Sequence, residues 1–401
     1  MPWKECSKVD ERLRFVGRLL DGERMTDLCR EFGIARKTGY KIYDRYRDCG
    51  LEALVDRSRR PVRYGNQLPF QIETTIVAIK REKSSWGARK IRDRLLRKFP
   101  GIRTPAKSTI HAVLDRHGLV TRRKRRRNRA TGTPLSRGQR PNDLWCADYK
   151  GEFLLGTHAY CYPLTISDHA SRYLLGCEGL ESTQERYAFT VFEHVFREYG
   201  LPWAIRTDNG VPFASPNSLF TLSRLSVWWL RLGIHIERIA PGQPQQNGRH
   251  ERIHLTLKQE TTRPPGQNFL QQQARFDAFR EEYNTDRPHE ALGMKYPAEV
   301  YSPSLRLYEG LPPVEYPFHD RTIQITSCGR ICIGKMKINL SKVFAGESMG
   351  LKEVNDGIWL VSFMDYDLGY FDEESRRFEP LSNPFGPKLV DPLGMEKQAE
   401  E

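Results

Sequence analysis

At Pro141 the spacing of apolar residues changes, and that change limits the possible folds more than any other feature of the chain. Ahead of it, apolar residues recur every three or four positions, as a helix with one buried face requires. Behind it, short β-branched and aromatic runs alternate with longer helical stretches. A helical front third therefore precedes a mixed α/β body, and 401 residues suffice for two to four domains. No run approaches the roughly 18 apolar residues that span a bilayer, and the Met1-Pro2-Trp3-Lys4 start lacks a signal peptide's apolar stretch. A cytosolic protein with no membrane partner is expected.

Charge divides at the same place. Residues 1–140 hold 37 Lys and Arg against 15 Asp and Glu, a balance of +22, whereas the remainder holds 27 against 35, a balance of −8. Charge kept only for solubility would not segregate in this way. A cationic front end displaces the counterions condensed on phosphates, so a nucleic-acid partner is expected there. The eight cysteines show no zinc-ribbon or zinc-finger spacing, and the pair Cys328 and Cys332 has no histidine pair beside it, so no structural zinc is expected.

The front third reads as two helix-turn-helix units. Val9, Leu13, Val16, Leu19 and Leu20 mark a first helix that Asp21-Gly22 ends. Met25 to Arg47 then reads as a short helix, a turn at Gly33 and a polar-basic helix. That last helix would present Arg36, Lys37, Thr38 and Lys41 to a major groove while Ile42 and Tyr46 pack inward. A second unit follows, with a basic amphipathic helix from Trp86 to Phe99 and another from Pro105 to Gly118 whose Lys107, Ser108 and Thr109 would face DNA. In Arg122, Arg123, Lys124, Arg125, Arg126, Arg127, Asn128 and Arg129, seven of eight residues are cationic, and such a self-repelling run suits an extended linker along phosphates. The expected segments are 1–64 and 65–121 for the two units, 122–140 for the linker, 141–305 for the α/β body, 306–386 for a small β-rich domain and 387–401 for a flexible tail.

In the body, strands are expected over 143–153, 160–168, 171–177, 202–208 and 235–239, with helices over 183–199, 218–232, 247–260 and 276–283. The order βββαβαβα is that of a ribonuclease-H-like sheet. Beyond 320, six short alternating segments with a hairpin signal at Asn355-Asp356-Gly357 predict a small β-barrel-like domain.

Four stretches stand in order within this body: Trp145-Cys-Ala-Asp148, Arg206-Thr-Asp208-Asn-Gly210, Pro244-Gln-Gln-Asn-Gly-Arg-His-Glu251-Arg, and Tyr283-Asn-Thr-Asp-Arg-Pro-His-Glu-Ala-Leu-Gly293. With them the chain, from about residue 1 to 305, resembles insertion-sequence transposases with a DDE integrase core. The resemblance implies catalytic, metal-binding carboxylates at Asp148, Asp208 and Glu251, and binding of double-stranded DNA at terminal inverted repeats and at a target. It also implies a homo-oligomer, dimer or tetramer, that pairs two ends. One departure is the 42 residues between Asp208 and Glu251 where many relatives have 35; the extra length falls around Phe213 to Phe220.

Elementary chemistry agrees. Transesterification of a phosphodiester needs charge stabilised on both the entering and the leaving oxygen, and paired Mg²⁺ held by carboxylates supplies it, with Mn²⁺ as the substitute. Asp168, at a strand end beside His169, competes for the first position. Lys258 lies two helical turns beyond Glu251 and is a candidate phosphate contact, with Asn247, Arg249 and Arg252 as weaker ones. A hydrolytic nuclease of this fold, or a DNA-binding regulator with an inactive core, are the alternative functions.

Overall fold

Ser7 opens the first helix with a reciprocal cap: its hydroxyl accepts from the Asp10 N–H while the Asp10 carboxylate accepts from the Ser7 N–H. The structure is a computed structural model that describes residues 7–56, 68–120, 135–334 and 336–385. The chain divides into two compact units, Met1–Phe70 and Gln71–Glu401. The basic run holding Arg122, Arg123, Lys124, Arg125, Arg126, Arg127 and Arg129, and the tail beyond 385, lie outside the described residues.

The first unit contains α1 (Lys8–Leu20), α2 (Met25–Glu31) and α3 (Arg36–Cys49). Phe15, Val16, Leu28, Cys29 and Leu54 form its core, with Ile42 and Tyr46 packed against them. Gly33 adopts φ +62°, the left-handed turn that the sequence required between α2 and α3. Gly39 carried no sequence signal, yet it is where α3 crosses closest. A Cβ there would lie 2.5 Å from Cys29 Sγ, 2.9 Å from Met25 Sδ and 3.0 Å from Phe15 Cζ. Gly39→Ala is expected to destabilise this unit by about 1–3 kcal/mol. Calorimetry should show one transition moving down while that of the second unit stays, and an unchanged thermogram would overturn this packing.

The second unit begins with three helices, α4 (Phe70–Glu82), α5 (Ala88–Lys98) and α6 (Lys107–Arg116), around Ile76, Trp86, Ile91, Leu95, Ile110 and Val113. The sequence reading contained no α4. The basic side of α5, amphipathic as expected, faces protein: Arg97 pairs with Glu299 at 2.6 Å and Arg89 with Glu290 at 2.6 Å, and Arg94 pairs with Asp286. Lys83, between α4 and α5, reaches Glu282 at 2.7 Å.

Six strands follow: β1 (Trp145–Tyr149), β2 (Phe153–Leu154), β3 (Tyr160–Asp168), β4 (Leu174–Leu180), β5 (Ala204–Thr207) and β6 (His235–Arg238). Their order is β2-β3-β1-β5-β6, with β4 also paired to β3. The first strands are antiparallel, whereas β1–β5 and β5–β6 are parallel. Side chains alternate between faces. Trp145, Ala147, Leu164 and Ile166 point to α7 (Glu185–Tyr199) and α8 (Arg224–Arg231), packing on Phe192, Phe196 and Trp229. On the other side α9 (Gly248–Thr261) and α10 (Phe269–Thr285) cover Cys161, Leu174 and Cys177 with Ile253, Leu257, Phe276 and Phe279. The sheet order, with helices on both faces, matches the expected ribonuclease-H-like core.

Seven strands follow: β7 (Arg321–Gln324), β8 (Arg330–Ile333), β9 (Met336–Asn339), β10 (Ser348–Asn355), β11 (Ile358–Phe363), β12 (Tyr366–Asp372) and β13 (Arg377–Pro380). They correct the expected barrel. Five form an open antiparallel sheet, β13-β12-β11-β10-β7, and β8–β9 is a separate hairpin. Closure is unnecessary because the hairpin residues Ile331, Ile333 and Ile338 bury the face of that sheet at Met349, Val361 and Phe363. The same apolar cluster takes in Leu222, Val227 and Leu230 around α8, and Arg231 pairs with Glu347. Among the described residues no helix is long and apolar enough to cross a membrane.

Candidate active site

Strand alternation places Asp148 on the α9 side of the sheet, opposite Thr165 in register. Asp208 stands one residue past β5, and two residues back along each strand Cys146 and Arg206 face each other as parallel partners. The two carboxylates are thereby brought to neighbouring strand positions. The Gly210 N–H holds Asp208 by donating to Oδ1 at 3.1 Å, and the Asn209 amide donates to the Ile239 carbonyl at 2.7 Å. Glu251 is exposed in the first turn of α9. Ligand atoms of Asp148, Glu251 and His254 all lie within 4.8 Å of one another, a spread that fits one cation.

The electrostatics are those of an acidic pocket. Burial, then the charges of Asp208 and Glu251, push Asp148 up to about 7. Burial also raises Asp208, against the pull of its bond from Gly210. A carboxylate cluster kept half out of water, with Lys150 offsetting only part of its charge, binds a divalent ion more readily than it tolerates that charge.

The competing Asp168 is a structural group. Its Oδ1 accepts from the Asn142 N–H at 2.8 Å, and its Oδ2 accepts from the Ser171 N–H at 2.7 Å and the Ser171 hydroxyl at 2.6 Å. Both oxygens are thus engaged in holding the β3–β4 turn, where Asp168 faces Trp145 rather than Asp148.

Sequence reasoning missed the polar layer beneath Asp148. His250 and His254 flank Glu251 one helical turn apart and are buried against Thr165 and Ser167. Burial pushes His250 down to about 3, and burial, with His250 and Lys150, takes His254 to about 2. A signal existed in β3, where Thr165 and Ser167 interrupt an otherwise apolar strand on the Asp148 face.

The other expected contacts scatter. Arg36, Lys37, Thr38 and Lys41 are exposed at the start of α3, and Lys107, Ser108 and Thr109 at the start of α6. Lys258 is exposed two turns beyond Glu251. Asn247 precedes α9 but its side chain makes no cap bond, and its buried Oδ1 has no partner. Arg249 donates from Nη1 to the His169 carbonyl at 3.2 Å.

Between α4–α6 and α9–α10 lies a cavity of about 790 Å³ lined by Trp86, Lys90, Arg172, Arg249, Arg252 and Arg287, among others. Burial, then the Arg287 charge, pushes Lys90 down to about 8. Trp86 Nε1 and Arg172 Nε are buried there without partners. These are donors and cations suited to a polyanion, and Lys90 and Arg172 had not been singled out from the sequence.

The integrase core domain family matches residues 138–244 and 232–297. A helix-turn-helix domain matches residues 11–61, and a homeodomain-like domain matches 38–114. The insertion element IS407 uncharacterized 31.7 kDa protein of Burkholderia multivorans is 27% identical over 197 residues, covering 47% of this chain and 67% of its own length. The insertion element IS476 uncharacterized 39.2 kDa protein of Xanthomonas euvesicatoria is 24% identical over 284 residues, 70% of this chain and 79% of its own. The HTLV-2 integrase catalytic core domain, solved in complex with magnesium, aligns to 41% of this chain and all of its own at 15% identity, with a TM-score of only 0.33. With an integrase core domain, helix-turn-helix domains ahead of that core and similarity to insertion-element proteins, this chain is an enzyme of the polynucleotidyl transferase class that resembles the integrase-type transposases of insertion sequences.

Proposed function

We propose that this chain binds the terminal inverted repeats of its own element and performs metal-dependent cleavage and strand transfer there, with Asp148, Asp208 and Glu251 as the catalytic, metal-holding carboxylates. The observation that carries this reading is the convergence of Asp148, beside Asp208 on the neighbouring strand, with Glu251 on the helix above, in a pocket whose burial and then mutual repulsion raise Asp148. Divalent cations held there, two Mg²⁺ with Mn²⁺ as substitute, would supply Lewis acidity for the attacking water or 3′-hydroxyl and for the leaving 3′-oxygen. The chain's own part is to hold the DNA in line and to keep three anionic groups aimed at one point.

Double-stranded DNA is the partner that the remaining surfaces suit. Arg36, Lys37, Thr38 and Lys41 on α3 have the exposure a groove-reading helix needs, and Lys107, Ser108 and Thr109 repeat that placement on α6. Arg122, Arg123, Lys124, Arg125, Arg126, Arg127 and Arg129 would follow phosphates, with Lys258, Arg249 and Asn247 nearer the chemistry. The cationic cavity beside α9 suits the strand that leads to it. Joining two ends requires two copies or more, a dimer or tetramer acting in the cytosol.

The test is incubation of the purified protein with a plasmid carrying its reading frame and flanking DNA, with Mg²⁺, Mn²⁺ or chelator, followed by sequencing of the ends. Metal-dependent nicks at inverted repeats with joined products are expected, and the chelator should remove both. Hydrolysis without joining would replace this reading with a nuclease. Specific binding without cutting in any metal would replace it with a regulator.

A further inference from the structure

Beneath Asp148 four polar side chains form one hydrogen-bonded chain. Ser167 Oγ lies 2.8 Å from His250 Nδ1, and His250 Nε2 lies 2.7 Å from Thr165 Oγ1. The same hydroxyl oxygen is 2.7 Å from His254 Nε2 and 3.2 Å from the Asp148 carbonyl oxygen. His254 Nδ1 then faces Asp148 Oδ2 at 3.8 Å. His250 and His254 are 1% and 2% exposed, so water does not complete this network.

Counting protons fixes its direction. A threonine hydroxyl has one hydrogen to give and two lone pairs to receive with. Of its three neighbours here, the Asp148 carbonyl can only accept. The arrangement that satisfies every group sends the hydroxyl hydrogen to that carbonyl and has both Nε2 atoms donate to the oxygen. His250 Nδ1 is then an acceptor, matched by the Ser167 hydroxyl. A neutral His254 with its hydrogen on Nε2 presents a bare lone pair at Nδ1, and that lone pair faces a carboxylate. Two acceptors turned toward each other in a nearly dry space repel. The opposite tautomer does not repair this, because 3.8 Å is beyond hydrogen-bond reach. A cation between them resolves the conflict. Donors on one ion at bonds of about 2.0–2.3 Å lie about 3 to 4.6 Å apart, and those of Asp148, Glu251 and His254 fall within 4.8 Å.

We propose that His254 Nδ1 is a ligand of one divalent cation shared with Asp148 and Glu251, and that this nitrogen strengthens binding of the substitute ion Mn²⁺ more than that of Mg²⁺. The reasoning is one of ligand hardness. Mg²⁺ takes oxygen donors in a tight octahedron, whereas an ion of the Mn²⁺ kind accepts an imidazole beside two carboxylates. The inference rests on the carboxylate site proposed above and adds a nitrogen to it. Thr165 and His250 are then positioning residues, which keep the His254 proton on Nε2 and the ring turned toward the ion.

The test uses tag-free full-length protein loaded with one equivalent of Mn²⁺ and read by pulsed electron paramagnetic resonance. Nitrogen modulation from a directly coordinated imidazole is expected in the wild type. It should vanish in His254→Gln and persist in His250→Gln. Titration should show Mn²⁺ affinity falling about tenfold or more in His254→Gln, with Mg²⁺ affinity changing much less. Because His254→Gln also removes a buried hydrogen bond, the wild-type spectrum decides the matter even if that variant fails to fold. Mn²⁺ that binds, is lost in Asp148→Asn and shows no nitrogen modulation would overturn the His254 assignment and leave the carboxylate site standing. The absence of any Asp148-dependent Mn²⁺ binding would overturn both.

Discussion

Glu251→Gln is expected to abolish DNA cutting and joining, by about a thousandfold or more, while leaving the fold slightly more stable. The first part follows from the role proposed for this carboxylate: an amide neither neutralises the ion's charge nor holds it in place, and a thousandfold corresponds to about 4 kcal/mol of transition-state stabilisation. The second follows from the geometry. Glu251 is exposed, and its charge is one of the causes that hold Asp148 up near 7. Removing that charge relieves a repulsion which, without metal, only costs stability, so activity and stability should move in opposite directions. Plasmid assays and thermal melts of the same preparations check both. Retained cleavage in the Gln variant would remove Glu251 from the catalytic set, and a large drop in melting temperature would make it a structural group.

The second large effect is expected at Arg206, two residues before Asp208. Its side chain is 2% exposed, and its guanidinium donates through Nε to Glu237 at 2.9 Å and pairs with the same carboxylate through Nη2 at 2.8 Å. Glu237 also accepts from the Ser136 N–H at 2.7 Å and the Ser136 hydroxyl at 2.9 Å. Arg206→Met would leave the half-buried Glu237 carboxylate with its main counter-charge gone, a loss of about 2–4 kcal/mol by denaturant titration. Pairing it with Glu237→Gln should recover much of that loss, because the uncompensated charge is then also gone. A single variant as stable as wild type would show that Arg206 is dispensable to the fold, and its place in the sequence motif would need a role at the DNA.

The sequence was legible wherever local pattern and tertiary fate coincided. Tyr160–Asp168 was read to the residue because its strand is buried over almost its whole length. The next strand begins at Leu174 rather than at Ser171, since Asp168 and Ser171 use their side chains to hold a turn. The helix expected at 276–283 begins instead at Phe269, because Asn268 caps it by accepting from the Gln271 N–H, ahead of a glutamine run without apolar period. The helix expected over 218–232 begins at Arg224 under a Ser223 cap, with only a short turn at Leu219–Thr221 before it. For the proposed site, the three carboxylates are suggested by ordered motifs. The histidine layer could not, because His250 and His254 meet Thr165 and Ser167 only once α9 lies on β3, some 85 positions away. The basic face of α5 shows the converse, since composition cannot say whether an arginine waits for phosphate or for Glu299.

The apolar cluster shared between α8 and the C-terminal sheet bears on how the chain matures during synthesis. Leu222, Val227 and Leu230 leave the ribosome long before Phe363 and Phe371, which cover them. From 230 to 371 is 141 residues, which at ordinary translation speeds takes on the order of ten seconds. Throughout that interval the catalytic core is complete in sequence but carries an uncovered greasy strip. A nascent chain in this condition is a client for chaperones, and a copy of the gene truncated after the core would produce a protein fixed permanently in that sticky, aggregation-prone stage.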